Sequence, residues 1–364
     1  MYYNFSKNEL DTMITPRKLL GGGDDWEVES KKLLDSLGIN NNRYVYVSTC
    51  ATNLIHDIFT YYGDEGMVVV STTDEHPSMN VQPINLKINT KEKDSSIKDR
   101  YVFEELYKHY TFDIDDKESI YSLLPKIVPS EYILLYINSC KLQNGKIYTD
   151  DYLCEIYNIF KKYFSTSKVI FCLDDVQNMF VYHRNYDIYD YIIMTAHILV
   201  PHYNMGIVIS KHHIDIGGYV LDWLKDYNSK IPIIQNIVNN SKEFTQEMDN
   251  ILSPLCNGVD IILHGDNNST NIVYNTNIYN IMFLHNPLFV KYIKDTVMKR
   301  NDYNSNIFRF GGWGINNNTS NYTFLRIRYS EVLLCGGDKE MVTETVKEII
   351  NIYNKVKKYE IAPI

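Results

Sequence analysis

The chain has 364 residues and a formal net charge of −9, from 36 basic and 45 acidic side chains. That length suits about two domains, and a 45% hydrophobic share is ordinary for a globular protein. The acidic balance disfavours nucleic acid and anionic membranes as main partners.

The opening MYYNFSKNEL lacks a basic start and an apolar run, so no secretory signal is expected and a cytoplasmic, reducing setting is. The six cysteines, at 50, 140, 154, 172, 256 and 335, form no C-x-x-C pair, which argues against a zinc ribbon or redox dithiol. Cys154 and Cys172 sit in apolar contexts and are expected in the core.

In chain order, residues 44–47 read as a strand, and 52–62 as a helix with Leu54, Ile55, Ile58 and Phe59 at helical spacing. Residues 67–70 read as the next strand. The charged stretch 87–125 reads as loop and surface helix. The run YILLYI at 132–137 reads as a strand, followed by a turn at Asn144-Gly145. Residues 150–164 form an amphipathic helix pattern with Tyr152, Ile156, Ile159 and Phe160 on one side. Further strands are expected at 169–173, 191–194 and 206–210. Residues 191–210 carry no formal charge but contain a threonine, two histidines, a proline and an asparagine, which argues against a membrane span. From about Pro254 the pattern changes. Strands are expected at 260–263, 270–274 and 322–328, with an Asn-rich polar loop at 311–321. A closing helix is expected at 338–359, with Met341, Val342, Val346, Ile349, Ile350 and Tyr353 inward.

Apolar strands alternating with helices predict an α/β protein with a largely parallel sheet covered on both faces. The expected organisation is an N-terminal arm at 1–19, a large α/β domain at 20–253 and a smaller C-terminal α+β domain at 254–364.

Candidate chemistry lies at the strand ends. Ser48-Thr49-Cys50-Ala51-Thr52 opens a helix, where hydroxyls make good caps and free N–H groups make a phosphate site. His76 follows Glu75 in a strand-to-helix loop. Asp174 and Asp175 end a buried strand, where ligand sites of open α/β sheets occur. A buried carboxylate there is costly unless a cation, such as a protonated heterocycle, meets it.

Together these residues resemble a known family. The order Ser/Thr-rich turn, Glu-His-x-Ser, Asp-x-x-Gln, then Asp-(apolar)-Thr-Ala-His is similar to the class V aminotransferase group of fold-type I pyridoxal-phosphate enzymes. That group includes the cysteine desulfurases and NifS-like proteins. The resemblance runs through roughly residues 20–210, and LRIRYSEVLL at 325–334 resembles the family's Arg-x-Ser. It implies a mostly parallel sheet of the seven-stranded type, a smaller C-terminal domain and a homodimer. It implies that Thr49, Cys50, Ala51 and Thr52 hold the cofactor phosphate. It places His76 against the pyridine ring, Asp174 at the ring nitrogen and Gln177 near the ring hydroxyl. Thr195 and His197 would contact the phosphate, Asn144 the ring, and Arg328, with Arg326 as rival, a substrate carboxylate.

The departure falls at the centre of the chemistry. Where the family carries the lysine that forms the Schiff base, this chain has Ile198, and no lysine occurs between Asp190 and Ser210. Isoleucine offers neither nucleophile nor base. The desulfurase loop cysteine is missing as well, since residues 311–321 hold none. One expectation is therefore a non-catalytic relative, acting as a binding, regulatory or structural protein, with pyridoxal or pyridoxamine phosphate held non-covalently if at all. A second is an enzyme of altered, lysine-independent chemistry on a small amino compound. A third sets the family aside and reads Asp174-Asp175 as an acidic cleft for a metal or nucleotide.

Overall fold

The computed structural model describes residues 24–40, 42–63, 66–73, 84–87, 102–105, 108–141, 146–176, 180, 182–195, 205–214, 221–256, 260–263, 273–274, 278–303, 305, 307–311, 322–328, 332 and 338–360. Helix α1 (Asp24–Leu37) leads into β1 (Tyr44–Ser48), α2 (Ala51–Gly63) and β2 (Met67–Thr72). The stretch read as loop and surface helix departs from expectation. It holds β4 (Val102–Glu105), which pairs with β3 (Ile84–Lys87), and then β5 (Lys108–Phe112), while the expected helix is present as α3 (Lys117–Leu123). Next come β6 (Tyr132–Asn138), β7 (Lys146–Ile147), α4 (Asp150–Tyr163), β8 (Lys168–Asp174), β9 (Tyr191–Thr195) and β10 (Gly206–Ser210). Each apolar run read as a strand in this half of the chain is one.

Among the described residues the main sheet has seven strands in the order β1-β10-β9-β8-β6-β2-β5. The pairs β9·β8, β8·β6, β6·β2 and β2·β5 are parallel, and β10 runs antiparallel to both its neighbours. β5 escapes a hydrophobicity reading because it is the edge strand. Only Phe112 is fully buried, and Lys108 is exposed. An edge strand shields less side-chain surface and so shows no continuous apolar run.

Side chains alternate across the sheet. Leu135, Ile137, Phe171, Leu173, Ile192 and Met194 pack with α1 and α4. Leu134, Tyr136, Ile170, Cys172, Tyr191 and Ile193 pack with Leu54, Ile55, Ile58 and Phe59 of α2. Cys172 is fully buried as expected, whereas Cys154 is half-buried. On α4 the inward set is Leu153, Ile156 and Phe160, with Tyr152 and Ile159 partly covered.

Helix α5 (Leu221–Leu252) belongs to two cores. Leu224, Tyr227, Ile231, Ile234 and Val238 pack on the main sheet, and Phe244, Met248 and Leu252 join a second cluster. That cluster is built on the sheet β11-β13-β15-β14, formed by β11 (Ile261–Leu263), β13 (Ile278–Leu284), β14 (Phe308–Gly311) and β15 (Tyr322–Arg328). β12 (Val273–Tyr274) pairs with β7 instead. α6 (Pro287–Asp295) and the closing α7 (Lys339–Glu360) cover the second sheet. Val342, Val346, Ile349, Ile350 and Tyr353 point inward on α7, and Met341 is half-buried. No helix among the described residues is long and apolar enough to cross a membrane.

Candidate functional site

The carboxyl ends of β1, β2, β6, β8 and β9 share one edge of the main sheet, since β1 and β9 both run antiparallel to β10. Ser48, Gly206 and Thr195 stand side by side there on β1, β10 and β9. Asn138 pairs with Asp174, and Asp174 with Ile193. The alternation puts Tyr136, Asn138, Asp174 and Thr195 on the face covered by α2. Three stretches far apart in sequence (49–52, 174 and 195) therefore lie along one edge and one face of the sheet, after β1, on β8 and on β9.

Thr49 is exposed, Cys50 and Thr52 are half-buried, and Ala51 is buried. Thr49 Oγ1 accepts a hydrogen bond from Asn53 Nδ2 at 3.0 Å. The first turn of α2 carries no acidic side chain, which leaves its positive end available to an anion. The turn lies directly on β10. A Cβ at Gly206 would fall 2.3 Å from Ala51 N and 2.3 Å from the Cys50 carbonyl carbon. Both are backbone atoms that cannot swing aside, so Gly206→Ala is expected to destabilise by about 1–3 kcal/mol. Urea unfolding checks this, and an unchanged midpoint would refute the close approach. Thr195 is fully buried and donates its hydroxyl proton to the Met205 carbonyl at 3.0 Å. With that proton committed, the anion donors described at this edge include the backbone N–H groups opening α2 and the Thr49 hydroxyl, whose oxygen accepts from Asn53.

Asp174 is 4% exposed. Its Oδ2 accepts from the Tyr136 hydroxyl at 2.5 Å and its Oδ1 from Val176 N–H at 3.1 Å. Burial pushes its carboxyl up to about 6, and the neighbouring Asp175 adds to this, against the two hydrogen bonds. Among the described residues no cation faces it.

Asp175 is disposed differently. It turns to Arg184, whose Nε donates to Asp175 Oδ1 at 3.2 Å, and to the Tyr186 hydroxyl at 2.6 Å. The buried Arg184 also donates to the carbonyls of Tyr148 and Ser139 at 3.1 Å each, and to Asp150 Oδ1 at 2.9 Å. The two aspartates thus serve different partners and do not converge on a shared cleft. Among the described residues no group of three His, Cys, Asp or Glu side chains is placed to hold a metal ion.

His76, Asn144, Gln177, His197 and Ile198 lie outside the described residues. Arg326 and Arg328 stand on β15, in the other sheet from Asp174. They share the face of β15 opposite the packed Leu325 and Ile327. Arg326 is buried over the Phe324 ring, and Arg328 is half-buried. Sequence reasoning missed Tyr136, Asn138, Gly206 and Arg184. Asn138 alone left a signal, as the polar residue ending an apolar run.

No family model matches the chain, and no curated protein does. Solved structures do match. A NifS-like protein from Rickettsia africae superimposes with a TM-score of 0.62 at 15% identity, over 90% of this chain and 88% of that one. Serine palmitoyltransferase from Sphingomonas wittichii gives 0.62 at 10% identity, over 95% and 80%. Serine palmitoyltransferase from S. paucimobilis, solved with bound PLP-myriocin, gives 0.63 at 13%, over 94% and 80%. The chain has the fold of the fold-type I pyridoxal-phosphate enzymes. The fold-type I likeness extends over nearly all of the chain, so it takes in both sheets. At such identities it speaks for architecture, and activity has to be argued from the site.

Proposed function

We propose that this protein is a fold-type I relative that binds pyridoxal or pyridoxamine phosphate non-covalently, as a homodimer, and has lost the family's lysine-dependent catalysis. It then acts as a binding, regulatory or structural protein. The observation that carries the reading is Asp174, a buried carboxylate that no cation faces among the described residues, on the side of the sheet where α2 begins. A protonated pyridine nitrogen would offset its charge, and the N–H groups opening α2 would take the phosphate. The clearance left by Gly206 keeps that helix end against the sheet. The residues present thus fit the cofactor.

A bound pyridoxal phosphate supplies an electron sink. Asp174 would hold the proton at the ring nitrogen. Ile198 provides no amine to bond the cofactor or carry protons. The retained Asp174 also suits a second reading, lysine-independent chemistry on a small amino compound gripped by Arg328 or Arg326.

The test is a titration of the purified protein with each cofactor form, followed by absorbance and fluorescence, with and without borohydride. Saturable binding without a trapped adduct is expected. Ile198→Lys is expected to turn yellow with pyridoxal phosphate and to retain it after reduction, read by intact mass. A single-site adduct trapped on the unmodified protein would overturn the loss of the lysine. Absence of binding by either form would overturn the retained pocket. Consumption of an amino compound by the unmodified protein would favour the second reading.

A further inference from the structure

We propose that Tyr136 is a positioning residue of this site, its hydroxyl holding the Asp174 carboxylate oriented and ionised toward a protonated ring nitrogen. The inference rests on the cofactor reading above and adds a residue to it.

Tyr136 is fully buried on β6, the strand next to β8. Its ring meets Phe59 of α2 edge-on, with centroids 6.1 Å apart at 76°. The ring is therefore fixed by the helix whose first turn borders the site. Its hydroxyl donates to Asp174 Oδ2 at 2.5 Å, while Val176 N–H donates to Oδ1 at 3.1 Å. One donor on each oxygen fixes the carboxyl plane. Each oxygen retains a lone pair for a further donor.

Packing alone does not call for this hydroxyl. Leu134 on β6 and Ile170 and Cys172 on β8 share the same face and are apolar. A phenylalanine at 136 would fill the same space. A phenol and a carboxylate buried together cost more desolvation than an apolar pair of like volume. The hydroxyl is accounted for if Asp174 has to be a carboxylate.

Among the described residues the charge that acts on Asp174 is that of Asp175. Asp175 is next in sequence, and its own charge is met by Arg184 and the Tyr186 hydroxyl. Burial and Asp175 raise the Asp174 midpoint, and the Tyr136 and Val176 hydrogen bonds lower it. Removing one of those donors moves the midpoint further up. Fewer molecules then carry the carboxylate at pH 7.

The experiment uses the full chain as Tyr136→Phe, with the fold checked by near-UV circular dichroism. Carbon-13 labelling of aspartate, with Asp174→Asn to assign the signal, follows the midpoint in the cofactor-free protein. A rise of about one pH unit is expected. Replacing Tyr136 with 3-fluorotyrosine, a stronger donor of nearly the same shape, is expected to move it down. Pyridoxamine phosphate is expected to bind Tyr136→Phe about fivefold more weakly at pH 6 and about twofold more weakly at pH 7, in step with the lost carboxylate. The gap should narrow toward pH 9, where both proteins are ionised. A purely structural loss would be the same at every pH.

A folded Tyr136→Phe with an unmoved midpoint overturns the proposal. So does a moved midpoint beside unchanged affinity at pH 6. If the unmodified protein binds no pyridoxamine phosphate while the midpoint moves, the cofactor reading fails and the Tyr136–Asp174 coupling stands.

Discussion

Arg184→Met is expected to destabilise the protein by about 3–5 kcal/mol, because it leaves the Asp175 carboxylate buried without a cation. Both side chains are fully shielded from solvent, with Nε 3.2 Å from Oδ1. The guanidinium also ties the carbonyls of Ser139 and Tyr148 and the carboxylate of Asp150 to the loop after β8. Asp150 in turn accepts from Asn185 N–H at 2.6 Å and from the Tyr189 hydroxyl at 2.8 Å. Methionine fills much of the volume but offers none of these donors. Arg184→Lys keeps the charge, yet a single ammonium cannot span so many acceptors, and only partial recovery is expected. Adding Asp175→Asn to Arg184→Met should restore much of the loss, since the stranded charge goes with it. Urea unfolding of the three variants gives the result. A loss below about 1 kcal/mol for Arg184→Met would show that the network does not hold this edge together.

Asp174→Asn is expected to act in the opposite direction on stability. The folded carboxyl titrates at about 6 instead of near 3.8, chiefly through burial. A group raised in this way binds its proton more tightly when folded. Its stabilising effect is full below the ordinary midpoint and is lost as pH rises through about 6. By pH 8 the folded protein carries the whole cost of a buried charge, about 3 kcal/mol. Asparagine has the same shape, no charge, and an oxygen that still accepts from Val176 N–H. The variant is therefore expected to gain up to about 3 kcal/mol at pH 8 and close to nothing at pH 4. Over the same substitution, affinity for pyridoxamine phosphate should fall about 10- to 100-fold through loss of a charge-assisted hydrogen bond. Unfolding at pH 4, 6 and 8, with cofactor titration at pH 8, measures both. A variant less stable than the unmodified protein at pH 8 would refute the uncompensated buried charge. A gain in stability set against a loss of binding is what a site held against its own folding preference produces.

The elements differ in how far they were legible. YILLYI at 132–137 and the runs at 169–173 and 191–194 are strands buried on both faces, and such strands announce themselves as short apolar stretches. β13 was missed because its apolar residues are broken by Asn280, and β14 because it is only four residues long. α5 was missed because no single apolar face serves it throughout. Its first half packs on one core and its second on another, and Pro232 interrupts it. At the site, Asp174, Thr195 and the turn at 49–52 stood out as polar or small groups ending apolar strands. Arg184 sits in a polar loop, where nothing local sets it apart from a surface cation.

By itself the sequence determined the layered α/β pattern, the strand ends that carry polar groups, and the lack of any lysine between Asp190 and Ser210. These follow from local composition and periodicity, which need no knowledge of the partner strand. Only the tertiary structure decided which groups meet. Tyr136 reaches Asp174 because β6 pairs with β8 in a register that sets Asn138 beside Asp174. Gly206 lies beneath the start of α2 because β10 inserts between β1 and β9. Arg184 faces Asp175 and not Asp174, which leaves Asp175 neutralised and Asp174 with no cation facing it among the described residues. Strand register comes from the packing of whole faces across the sheet. A contact between residues 38 or 155 positions apart therefore leaves no mark on either local stretch.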